Sequence, residues 1–275
     1  MTDDGAFRVI VARSTDTVRG IIEAQGAQGE QAQVLGDLIT ATALFRETMS
    51  PDLRVQGIWK DSQSVGTLVA DSAPEGHTRG LLQSAPNKET NGAPGSQRLL
   101  QMMRTLPNGS INQGIIRINE GASVSTAMMA YMTESEQVDT MLAVGTLFDQ
   151  KGNVSAAGGY MVQLLPEVGR SPLAIMAQRL EDFPTIEELL QDNFDAISVR
   201  DELFYGMPFS PLNTTPLAFS CWCSEDRLLG ALATLNRKEI QSMIDDGKPV
   251  EITCDYCKKD YALQPSRLRG LLTEN

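Results

Sequence analysis

The first 220 of the 275 residues contain no cysteine. The whole chain has one histidine and only 5% aromatic residues. No apolar run approaches the roughly 18 residues that span a bilayer, so a membrane partner is not expected. Met1 to Phe7 lacks a basic stretch followed by an apolar core, so no secretory leader is read and a cytoplasmic location is expected. Basic residues are outnumbered, 23 against 35, and the resulting charge of −12 repels phosphate backbones; nucleic acid is not an expected partner. The lone histidine, His77, has no acid or nucleophile partner evident in the sequence. Phosphate-loop, nucleophile-elbow and H-E-x-x-H patterns are all missing, so no catalytic site is predicted. What remains, 41% hydrophobic and 21% charged residues, is ordinary for a globular chain long enough to bury a large core plus a smaller one.

Apolar residues at helical spacing, Val34, Leu35, Leu38, Ile39 and Phe45, predict an amphipathic helix over Gly29 to Phe45 that packs on a sheet. Leu53 to Lys60, Gly66 to Asp71 and Gly76 to Leu82 alternate between turn residues and predict an antiparallel meander. Asn87 to Ser96 reads as a surface loop. A strand is expected over Gly114 to Asn119 and a helix over Ser123 to Glu134. Two apolar runs, Val138 to Phe148 and Val154 to Leu165, flank a hairpin connection at Asp149 to Asn153. Gly158 and Gly159 mark a bulge or a close backbone approach rather than a phosphate loop. Met128, Met132, Met141 and Met161 sit at core-like positions, and packing explains them better than a methionine-rich binding surface. The expected fold class is α+β, with a mostly antiparallel α/β domain over 1–166, a helical acidic linker over 167–218 and a small C-terminal domain over 219–275.

The linker region holds nine acidic residues against three arginines. Ser171-Pro172 and the capping box Thr185-x-x-Glu188 open short helices there, and helices so short are marginal unless docked on something larger.

All four cysteines lie in the tail: Cys221-Trp222-Cys223, thirty residues, then Cys254-Asp255-Tyr256-Cys257. Two short-spaced pairs on separate segments can close a tetrahedral thiolate shell around Zn2+, leaving no position for a substrate water. Such a shell is structural or redox-active and not hydrolytic. Pro249 to Thr253 and Lys258 to Leu263 predict strands around the second pair, and Ser224 can cap a helix bearing Leu228, Leu229, Leu232 and Leu235. A second helix carries Ile240, Met243 and Ile244. Other readings are a thioredoxin-type use of Cys254 and Cys257, a passive zinc module that binds a partner, and a zinc ribbon for nucleic acid. Nine acidic residues against eight basic ones from Phe219 onward disfavour the last.

The tail resembles that of the 33 kDa chaperonin family, the redox-regulated heat-shock holdases. The likeness extends to Tyr131-Met-Thr-Glu-Ser-Glu-Gln137, to Ala156-Ala-Gly-Gly-Tyr-Met-Val-Gln-Leu-Leu-Pro166 and to Gly66-Thr-Leu-Val-Ala-Asp71 with Gly76-x-x-Arg79-Gly80. The resemblance implies an ATP-independent chaperone that binds unfolding proteins under oxidative stress. It further implies a metastable linker, disulfides Cys221–Cys223 and Cys254–Cys257 after zinc release, and a homodimer on oxidation. A zinc-dependent interaction or regulatory protein without redox switching is the alternative.

Overall fold

The computed structural model describes residues 1–61, 64–83, 98–165, 171–192 and 194–273. The chain forms two compact units, Met1–Phe219 and Ser220–Asn275. The fold is mixed α+β.

Two sheets organise the first unit. One has three strands, β1 (Phe7–Arg13), β7 (Thr140–Phe148) and β8 (Val154–Leu164), with β8 central and antiparallel to both neighbours. The other runs β6-β5-β2-β3-β4-β9, comprising β2 (Arg54–Asp61), β3 (Gly66–Ser72), β4 (His77–Gln83), β5 (Leu99–Thr105), β6 (Ile111–Arg117) and β9 (Ala218–Phe219). Among the described residues only the short β4–β9 pair is parallel.

Helix α2 (Gly29–Arg46) packs against strands of both sheets, β2 and β3 on one side and β7 and β8 on the other. The sequence predicted a one-sided amphipathic helix. Instead Leu35, Leu38, Ile39, Thr42, Leu44 and Phe45 are all buried, as a helix between two layers requires. The close approach depends on Gly36: a Cβ there would sit 2.4 Å from the Thr146 Oγ1. Helices α1 (Thr15–Gln25) and α3 (Val124–Tyr131) complete this core with Val18, Ile21, Ala127 and Met128. The predicted helix over 123–134 ends its α-helical part at Tyr131 and continues as a π turn, Met132–Glu136, closed by Gln137 at φ 58°.

The meander and the apolar hairpin lie where they were expected, and Asp149 closes the hairpin by accepting hydrogen bonds from the Lys151 and Asn153 amides. At Gly159 a Cβ would lie 2.5 Å from the Ala143 oxygen, so close backbone approach explains that glycine; the register shift occurs at Leu147 and Phe148. The loop over 87–96 lies outside the described residues, as does Pro166. Met128, Met132 and Met161 are fully buried. His77 is exposed, with Glu75 3.8 Å from its ring.

The opposite face of the three-stranded sheet carries α4 (Ser171–Glu181), α5 (Ile186–Gln191) and α6 (Ala196–Leu203). Met176, Leu190, Val199 and Leu203 meet Phe7, Tyr160 and Val162 in a second core. Thr185 and Glu188 form the reciprocal cap of α5, and Asp195 caps α6.

The second unit contains α7 (Glu225–Leu232), α8 (Arg237–Asp245), the hairpin β10 (Val250–Thr253) with β11 (Asp260–Leu263), and α9 (Pro265–Thr273). Its buried apolar core consists of Leu229, Ile240, Ile244, Leu263 and Leu268, small for an independent fold.

Candidate metal centre

Each cysteine pair is held by a local backbone device. Cys221 and Cys223 lie in a segment without regular structure that ends where Ser224 caps α7, accepting from the Arg227 amide. Cys254 and Cys257 occupy the turn between β10 and β11. There the Cys254 amide donates to the Lys259 oxygen and the Lys258 amide to the Cys254 oxygen, with Lys258 at φ 59°. The β10–β11 pairing clamps both ends of this knuckle.

The two segments bring all four Sγ atoms within 4.8 Å of one another. Cys221 and Cys254 are 3.8 Å apart, and Cys223 and Cys257 3.4 Å. A tetrahedral tetrathiolate zinc site, with Zn–S bonds of about 2.3 Å, has sulfur–sulfur edges of about 3.8 Å. The four cysteines therefore could hold a metal, and their all-sulfur chemistry suits zinc. Cys254 is buried and the other three are half-buried.

Tyr261, on β11, sends its hydroxyl into this cluster, 3.0 Å from the Cys223 Sγ and 3.1 Å from the Cys223 oxygen. Burial opposes ionisation of Cys223, but hydrogen bonds from Tyr261 and the neighbouring thiols outweigh it and lower its pKa. Burial and the adjacent thiols raise that of Cys257. Tyr261 itself is pushed well up, first by its bond to Cys223 and then by burial. Sequence spacing did not reveal Tyr261, which lies four residues past Cys257 and reaches the other cysteine pair only through the fold. Lys259 stacks over its ring, 5.0 Å from the centroid.

Trp222 is half-buried between the first two cysteines. Asp71 is a buried charge in the first unit, but it is matched by Arg54 at 2.6 Å and Arg79 at 3.0 Å and reads as structural.

The profile of the Hsp33 protein family matches residues 1–264. A 33 kDa chaperonin of Syntrophotalea carbinolica is 30% identical over 279 aligned positions, covering 98% of this chain and 96% of the relative. One from Streptococcus pyogenes is 28% identical, covering 100% and 97%. The crystal structure of the 33 kDa chaperonin of Thermotoga maritima superimposes with a TM-score of 0.80 at 22% identity, over 98% of this chain and 94% of that one, which establishes a common fold. No helix among the described residues is long and apolar enough to cross a membrane.

Proposed function

The chain belongs to the Hsp33 family of chaperones, and from that premise we propose that it is an ATP-independent holdase of the cytoplasm, switched on by thiol oxidation. Its partners, as for a chaperone, are non-native client proteins. The observation that carries the redox reading is the cluster of four sulfurs in a unit whose buried apolar cluster has five members among the described residues. Such a unit draws much of its folding energy from its ion; comparable zinc peptides gain about 10–16 kcal/mol. Bound zinc would supply charge neutralisation and cross-linking, with Cys221, Cys223, Cys254 and Cys257 as its ligands.

Oxidation removes those ligands two at a time. The two thiolates of a pair give up two electrons to hydrogen peroxide, a disulfide forms, and the peroxide takes up two protons and leaves as two waters. The proposed pairs are Cys221–Cys223 and Cys254–Cys257, on the family resemblance; distance does not select them, because all four sulfurs are mutual neighbours. With its ligands gone the C-terminal unit unfolds. The chain enters that unit directly after β9, so the marginal helices of the 167–218 arm lose a fixed anchor and open. Apolar surface such as that around Phe7, Tyr160 and Val162 is then free for clients. The same exposure would promote a homodimer of the oxidised form.

The test measures zinc and client holding on one sample. Zinc-loaded, reduced protein treated with peroxide under mildly unfolding conditions releases about one equivalent of zinc and begins to suppress aggregation of a denatured enzyme, and peptide mapping returns the Cys221–Cys223 and Cys254–Cys257 disulfides. Zinc release without any holding would leave the alternative, a zinc-dependent interaction protein.

A further inference from the structure

Strand β1 ends the three-stranded sheet, and its second edge meets no strand among the described residues. The Ser14 amide donates to the Ala157 oxygen and the Leu165 amide to the Ala6 oxygen, both at 2.9 Å. With the register Ala12↔Gly159 and Ile10↔Met161, these bonds assign the even-numbered residues to the ladder with β8. Val9 and Val11 therefore turn their N–H and C=O groups to the free edge, and among the described residues nothing bonds to them there. Phe7, the next such residue, is satisfied by Thr2.

These orphan groups open into a cleft of about 400 Å³, within the range of pockets that hold ligands. Its walls are β1, the α6 side with Ile197 and Phe204, the α2 side with Leu44, and the segment 211–217. Val9 and Val11 lie on the α6 side of the strand, with the second core. Arg8 lies in the same cleft, and both its Nε and its Nη2 donate to the single Oε1 of Gln163, at 3.0 and 2.6 Å. Half-buried, it meets no carboxylate among the described residues. Glu47, the carboxylate on the wall, is taken by Arg46 and Thr215. Unpaired strand-edge groups on a half-buried strand, beside a guanidinium with no carboxylate partner among the described residues, form a template for an added strand.

We propose that this cleft binds an extended polypeptide segment as an added strand on β1. The Val9 and Val11 backbone supplies the hydrogen bonds, apolar side chains turn toward Ile197 and Phe204, and carboxylate side chains turn toward Arg8. The occupant's identity as an unfolded client rests on the chaperone reading; the cleft and its chemistry do not. An acidic-apolar alternating segment fits because alternate residues of an added strand face opposite sides.

The test uses the full-length, zinc-loaded protein, both reduced and oxidised, and a fluorescent heptapeptide of alternating Glu and Val, followed by anisotropy. Two N-methylated versions, one at the Val and one at the Glu amides, carry the same side chains. One methylated set weakens binding about tenfold or more while the other binds like the parent, because only one edge of the added strand faces β1. Hydrogen exchange slows at the Val9 and Val11 amides when the parent peptide binds. Arg8→Glu weakens the peptide about fivefold or more and favours a Lys/Val counterpart. Equal binding of both methylated sets, or absence of parent binding in both redox states, overturns the proposal. Aggregation suppression is measured separately. Holding without peptide binding defeats the cleft alone, and strand-like peptide binding without holding defeats the chaperone reading alone.

Discussion

The Tyr261 hydroxyl stands 3.0 Å from the Cys223 Sγ, reaching from the second cysteine hairpin to the first cysteine pair. A donor to a thiolate withdraws charge from sulfur, which lowers its nucleophilicity while helping to hold it ionised.

Tyr261→Phe keeps the ring in place and removes that donor. Hydrogen bonds to charged groups contribute about 1.5–3 kcal/mol, and partial loss of that restraint in the oxidation step corresponds to a roughly three- to tenfold faster peroxide-driven zinc release. Release to a competing chelator should change far less. Following both rates with a zinc indicator decides the matter; equal acceleration of both would mean that the hydroxyl serves only stability.

Removing the ion should unfold the second unit without unfolding the first. After chelation under reducing conditions, amides of α7 and α8 around Leu229, Ile240 and Ile244 should exchange at nearly unprotected rates, while those of α2 around Leu38 and Ile39 stay protected. Exchange mapped by mass spectrometry would show it. Persistent protection of α8 would mean that the five-residue core suffices by itself.

Asp37 makes folding pH-dependent. Burial, with Glu187 of α5 adding a smaller push, raises its pKa from 3.8 to about 7, despite hydrogen bonds from Gln33 and Thr146. The folded state thus prefers the protonated acid. This contribution to stability is complete below about pH 4 and is lost as pH rises through about 7. Asp37→Asn should flatten the slope between these values and raise stability at pH 8 by about 1–3 kcal/mol. Urea unfolding at pH 5 and pH 8 checks it; a wild-type protein more stable at pH 8 than at pH 5 through this site would contradict the sign.

Loosening the arm should lower the threshold for activity. Leu203 of α6 is fully buried in the second core, and Leu203→Ala should cost about 2–5 kcal/mol there. Under the proposed switch, this variant holds clients while still reduced and zinc-loaded. Light scattering of a denatured enzyme, with zinc content assayed in parallel, is the readout, and a variant with a loosened arm but no holding would uncouple the arm from activity.

Local chemistry was legible where one segment writes its own rule. The Thr185-x-x-Glu188 box and Ser224 cap their helices as read, and a second box at Asn236-x-x-Glu239 was equally visible but went unread. The segments missed were β1, α1, β5, α6, β9 and α9. Strand β1 hides because both its faces are covered: Phe7, Val9 and Val11 pack in one core and Ile10 and Ala12 in the other, so no alternation marks it. In β9 the strand has only two residues and no period to detect.

From the residues alone came the α+β class, the meander, the hairpin and the cysteine quartet, because turn chemistry, apolar period and ligand spacing act over a few positions and need no distant partner. Only the tertiary structure decided that α2 lies between two sheets, that Tyr261 serves Cys223 and that Val9 and Val11 face an edge where no described residue bonds to them. Those facts depend on which distant segments share space, and the packing of whole layers sets that.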